Sequence, residues 1–173
     1  MNIRVIISFL LMAFVLILVQ ILLLKNLALF GVALCFIYLL IILSIPVTIS
    51  HIPLILISFG IGFTVDIFYD SLGIHTAAAT LIGFIRPYWL KIISPTGGYV
   101  DSTDPDLKEM GIGWYFTYAM PLIFIFSLAF FLIDQWGTAG LFGVLNKSFF
   151  SSILTFVLAI LVQLLFFKRK RGI

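Results

Sequence analysis

Six apolar runs, at 5–24, 27–45, 53–70, 76–94, 115–133 and 148–167, take up about two thirds of this 173-residue chain. A helix needs about 20 apolar residues to cross a bilayer, so each run is long enough to be a span and little remains for a soluble domain. The reading is an all-α polytopic membrane protein: about six transmembrane helices in a single domain over 1–173. Composition agrees: 63% of residues are hydrophobic and 10% charged, with a mean hydropathy of +1.28, against an apolar share of roughly 45–50% in soluble domains.

The first run, Val5 to Leu24, is too long for a signal-peptide core and ends in no small-residue cleavage site, so it reads as a retained span. Lys25-Asn26 leaves only a tight turn into the second. Cys35 is the sole cysteine, which supports neither a disulfide framework nor a metal cluster. Orientation follows from lysine and arginine. With six spans and the N-terminus inside, Arg4, Arg86, Lys91, Lys108 and the basic tail at 168–173 lie on the cytoplasmic side, against Lys25 and Lys147 outside. Both termini are therefore expected in the cytoplasm.

The segment 96–113 reads as a cytoplasmic acidic loop, with Asp101, Asp104, Asp106 and Glu109 against Lys108. Asp104-Pro105 suits an N-cap followed by proline at the first helical position. The carboxylates lack EF-hand spacing, so a solvated loop is the default. In the fourth run only Ile74 to Ile85 is free of charge and proline, about 18 Å of helix. Either Arg86 snorkels from within the membrane, or a short span ends at Arg86-Pro87-Tyr88-Trp89 and an interfacial helix follows. Pro121 should kink or break the fifth span.

Lipid gives helices no hydrophobic reason to associate, so small residues and polar contacts must hold them. Three stripes do this: Ser58, Gly62, Asp66 and Asp70 on span three; Thr76, Ala79, Thr80 and Gly83 on span four; and Ser148, Ser152, Thr155, Ala159 and Gln163 on span six. Spans three and four should form an antiparallel hairpin with Asp66 level with Thr80, Asp70 level with Thr76 or His75, and Arg86 opposite Gly60. A direct Asp66–Arg86 pair is not expected at that separation. Ionisable groups at membrane depth are costly and often mark ion paths. The structural reading is instead that the carboxylates cap and staple one end of the hairpin, and that His75 is a satisfied turn histidine. On this reading Asp66→Asn is tolerated and Asp66→Ala is not. No serine–histidine–acid set, phosphate loop or paired catalytic carboxylates can be assembled, so no catalytic, cofactor or metal residues and no nucleic-acid contact are expected.

The run GFTVDIFYDSLGIHTAAATLIGFIRPYW resembles the most characteristic part of the MreD family, the small polytopic subunit of the bacterial rod-shape machinery. The matching residues are Gly60, Gly62, Asp66, Leu72, Gly73, Ala77 to Ala79, Gly83 and Arg86; Asp70 and the long acidic loop depart from the pattern. Size, six-span layout and basic C-terminus extend the likeness over nearly the whole chain. The resemblance implies a non-enzymatic scaffold of the inner membrane. It would bind the bitopic protein MreC and help couple MreB filaments to the RodA glycosyltransferase and its transpeptidase. Gly60, Gly62, Asp66, Asp70, Gly73, His75, Thr80, Gly83 and Arg86 are then structural or interaction residues. The family is also similar to the six-helix substrate-binding subunits of energy-coupling-factor vitamin transporters, which supplies the alternative of a solute-binding transport subunit. Against it, the first span has Ala13 alone where those subunits carry an Ala-x-x-x-Ala docking face.

Overall fold

The computed structural model describes residues 3–25, 33–99, 104–138 and 140–166. Seven α-helices occur among them: α1 (Ile3–Val19), α2 (Leu39–Leu43), α3 (His51–Tyr69), α4 (Ile74–Ile92), α5 (Leu107–Met110), α6 (Ile112–Asp134) and α7 (Leu141–Phe166). A π-helical turn, Gln20–Leu24, continues α1. Four helical stretches, Ile7–Leu24, His51–Tyr69, Ile112–Asp134 and Leu141–Leu165, are long and apolar enough to cross a membrane. The described residues are all-helical, and their long apolar helices are those of a membrane protein. The basic tail at 168–173 and residues 100–103 of the acidic loop lie outside the described residues.

The main departure from the sequence-based layout is the second run. A single helix was expected over 27–45; residues 26–32 lie outside the described part, 33–38 are irregular, and helix is confined to the five residues of α2. The segment Cys35–Leu43 is buried throughout, with Tyr38, Leu39 and Ile42 at 0% exposure. Non-helical backbone at membrane depth is tolerable only where protein surrounds it and satisfies its N–H and C=O groups. Phe36, Tyr38, Phe126 and Phe130 fill the space around it, their rings meeting at 4.8 to 5.9 Å. An all-apolar run says that a segment is buried but not what buries it.

α3 and α4 form the expected antiparallel hairpin, α4 packs on α6, and α6 on α7. Two glycines set the hairpin's closeness. A Cβ on Gly62 would lie 2.7 Å from the His75 oxygen and from the Thr76 Cα, and one on Gly83 would lie 2.5 Å from Ser58 Oγ. The register is therefore about one helical turn from the expected one, with Gly62 against Thr76 and Ala79, and Gly83 against Ser58. The tight turn explains the shift. Asp70 closes α3 in the left-handed conformation (φ 54°) and Gly73 opens α4 at φ 92°, leaving only the four residues 70–73 between the helices.

α4 runs unbroken through Arg86-Pro87 to Ile92, so the short span followed by a separate interfacial helix does not form. Pro121 is likewise accommodated inside α6. Proline there removes the N–H that would bond the Thr117 carbonyl. The Trp89 indole of α4 donates to that carbonyl instead, at 3.1 Å. In the acidic loop the N-cap is Asp106 rather than Asp104: its Oδ1 accepts from the backbone N–H of Lys108 at 3.0 Å and of Glu109 at 2.7 Å. Glu109 in turn accepts from the Asp104 N–H at 2.9 Å, a capping box displaced by two residues. Burial pushes the Asp106 carboxyl above its usual range, against the pull of these N–H donors.

Candidate functional site

The polar residues in the bundle gather at three places, each where a helix or an irregular segment leaves backbone groups without partners.

The first is the N-terminus of α4. A helix begins with N–H groups that no preceding turn can accept, and the residue at this cap position, Gly73, has no side chain to offer. Asp66 of α3 supplies what is missing. Its Oδ1 accepts from His75 N at 3.0 Å and Ser71 Oγ at 2.5 Å; its Oδ2 accepts from Thr76 N at 2.7 Å and Thr76 Oγ1 at 2.5 Å. The carboxylate thus performs the N-cap function from a neighbouring helix, and its charge suits the positive end of the α4 dipole. It is 7% exposed. Thr80, expected beside Asp66, bonds its own helix at the Thr76 carbonyl, 2.7 Å away. Asp70 is exposed and closes α3 in the turn.

His75 follows directly. Its ring is buried, with Nδ1 2.9 Å from the Tyr38 hydroxyl of the irregular segment. The rings of Tyr69 and Phe130 lie 4.8 Å away, and Nε2 has no hydrogen-bond partner among the described residues. Tyr69 extends the network to the widened turn after α1: its hydroxyl accepts from Gln20 Nε2 at 2.7 Å and donates to the Gln20 carbonyl at 3.0 Å. Gln20 Nε2 also donates to the Cys35 carbonyl at 3.0 Å.

The second place is the C-terminus of α2, where carbonyls are orphaned. Arg86 is 1% exposed and does not snorkel. Its Nη2 donates to the carbonyls of Leu43 and Ile45, and its Nε to the Tyr118 hydroxyl at 2.5 Å. The Tyr118 hydroxyl in turn donates to the Leu43 carbonyl at 2.8 Å. A cation at a helix C-terminus is the mirror of the Asp66 arrangement. As expected, Asp66 and Arg86 do not pair: His75, which Asp66 touches, and Arg86 are eleven residues apart on α4, about 16 Å of helix.

The third is the irregular stretch before α2. The span-six stripe is buried as read, with Ser148, Ser152 and Gln163 at 0% and Thr155 and Ala159 at 2% exposure. Its role is more specific than packing. Ser151 Oγ accepts from the Leu34 N–H at 2.9 Å and Thr155 Oγ1 from the Phe36 N–H at 3.1 Å. Gln163 Oε1 accepts from Leu107 N at 2.7 Å, tying α5 to α7.

Of the sequence-derived residues, Gly62, Asp66, His75, Gly83 and Arg86 are interior, and Gly73 starts α4 with open space where a Cβ would be. Gly60 is on the outward face of α3, with nothing within 4 Å of where a Cβ would be. Gln20, Tyr38, Ser151 and Tyr118 were not singled out. Tyr38 and Tyr118 were hidden inside runs that read as spans, where a hydroxyl among apolar residues was the only signal. Among the described residues no group of three or more histidine, cysteine or acidic side chains could hold a metal ion. No family model, curated protein or solved structure matches the chain.

Proposed function

We propose that this chain is a non-enzymatic scaffold of the bacterial inner membrane, of the MreD type. In this reading the hairpin, α1, α6, α7 and the buried second run make six crossings with both termini in the cytoplasm. The scaffold binds an MreC-like bitopic protein and helps couple MreB filaments to a RodA-type glycosyltransferase and its transpeptidase. The observation that carries this is the engagement of Asp66 and Arg86. Each membrane-depth charge is turned onto the backbone at a helix end, which favours a structural role over an ion relay, where such a group must meet water or a moving ion.

A second reading, a substrate-binding subunit of a vitamin-type transporter, draws on the unwound segment before α2, because broken membrane helices often line solute sites. The aromatic filling by Phe36, Tyr38, Phe126 and Phe130 weighs against it. Affinity purification of the full chain from its native membranes in mild detergent separates the two. Co-purification of an MreC-like bitopic protein is the expected result. Retention of a small vitamin-like molecule with no such protein would favour the transport subunit.

A further inference from the structure

The outward side of the α3–α4 hairpin is not smooth. A groove of about 650 Å³ is lined by Phe59, Phe63, Leu81 and Phe84 around the smaller Thr76, Ala77 and Thr80. These phenylalanines are about half exposed, at 49%, 52% and 53%. Between them Ala77 and Thr80 form a floor of small side chains where another helix can come close. Towards the α3–α4 turn the groove meets a second cleft that shares Phe63 and Gly73 with it and adds Asp66, Asp70 and Leu72.

That end differs from the rest. The Asp66 oxygens are taken up by the α4 N-terminus, whereas Asp70 is exposed and makes no ion pair among the described residues. Leu72 is 101% exposed and sits at φ 47°, a left-handed conformation that is unfavourable for a residue with a Cβ. Asparagine or glycine would suit the turn better, so an outward-pointing apolar side chain is held there against local preference.

We propose that this groove is the docking site of a single transmembrane helix from another protein, one that carries a lysine or arginine at the depth of Asp70. The apolar groove takes the helix, Ala77 and Thr80 on its floor admit close approach, Leu72 packs on its flank, and Asp70 selects the cation. A second copy of this chain is a poor occupant. A twofold axis along the membrane normal through this groove would set two Asp70 carboxylates at the same depth on facing surfaces. The inference rests on the scaffold reading and adds the face used and the charge required.

The test uses the full chain in cells, with a photo-crosslinking phenylalanine analogue replacing Phe63 or Leu81, and Leu10 on exposed α1 as control. The expected product is a discrete adduct at Phe63 and Leu81 but not at Leu10, whose partner is identified by mass spectrometry as a single-span protein with a basic residue at that membrane border. Asp70→Asn, which retains the left-handed turn, should reduce the adduct at least threefold. Asp70→Lys should abolish it, and changing the partner's basic residue to glutamate should restore it. Adducts with a second copy, with lipid alone, or with a single-span protein indifferent to Asp70 would each overturn the proposal. A cation-dependent adduct with a protein unrelated to MreC would uphold the docking site while removing the rod-shape reading.

Discussion

Asp66 caps α4 through Thr76, receiving both that residue's backbone N–H, at 2.7 Å, and its hydroxyl, at 2.5 Å. The two residues lie on different helices, so one carboxylate fixes the start of α4 and its register against α3 together. Arg86 does the converse at the end of α2.

At Thr76, valine keeps the shape and the backbone contact but removes one of four hydrogen bonds to the carboxylate. Hydrogen bonds to charged groups contribute about 1.5–3 kcal/mol, so Thr76→Val should lower stability by about that much in equilibrium unfolding of the full chain in detergent. Thr76→Ser should stay within about 1 kcal/mol of the parent.

The two α3 glycines should respond oppositely. Gly62→Ala forces a Cβ into α4 backbone at 2.7 Å, whereas Gly60→Ala meets nothing within 4 Å. The first should destabilise the hairpin by at least about 1–3 kcal/mol, as overpacking does. The second should be neutral or stabilising by up to about 1 kcal/mol, the helix preference for alanine. Gly83→Ala meets Ser58 Oγ at 2.5 Å and Cβ at 2.8 Å, so Ser58→Gly should partly rescue it in a double-mutant unfolding cycle.

The α7 hydroxyls answer for backbone donors elsewhere. Thr155→Val and Ser151→Ala orphan the N–H groups of Phe36 and Leu34, at about 1–3 kcal/mol each. Thr155→Ser, which keeps the acceptor, should recover most of the loss. Amide hydrogen exchange read at Phe36 provides the local check: faster in Thr155→Val and near parental in Thr155→Ser.

At the other end, Arg86→Lys keeps the charge but cannot reach Tyr118 and the Leu43 and Ile45 carbonyls together, because a lysine ammonium has no planar fork. Its unfolding midpoint should fall nearly as far as that of Arg86→Ala. Tyr118→Phe, which strips the hydroxyl shared by Arg86 and Leu43, should fall less.

The sequence revealed the hairpin, the small-residue stripes and the separation of Asp66 from Arg86, because charge is rare here and glycines recur at helical spacing. It concealed what those groups bind. Partners such as the N–H groups of His75 and Phe36 are backbone, which every residue carries and no motif marks. The break before α2 was illegible for the same reason: residues 33–38 are apolar but for one hydroxyl whether they cross as a helix or lie unwound in the core, and it is the hydroxyls of Ser151 and Thr155 on α7 and the Gln20 amide that satisfy the unwound backbone. The hairpin register moved by a turn because Asp70 and Gly73 both adopt left-handed conformations that shorten the connection.

The central claim is that the membrane-depth carboxylate is a helix cap. Four donors converge on its two oxygens, so an asparagine amide, which the sequence alone would tolerate, aims N–H at N–H. Equilibrium unfolding of Asp66→Asn and Asp66→Ala in the full chain is the direct measurement. Both should lose about 2 kcal/mol or more, the penalty for buried donors left unpaired beside a lost charge-assisted bond. An Asp66→Asn protein as stable as the parent but unable to support its cellular role would contradict the claim and point to chemistry at the carboxylate.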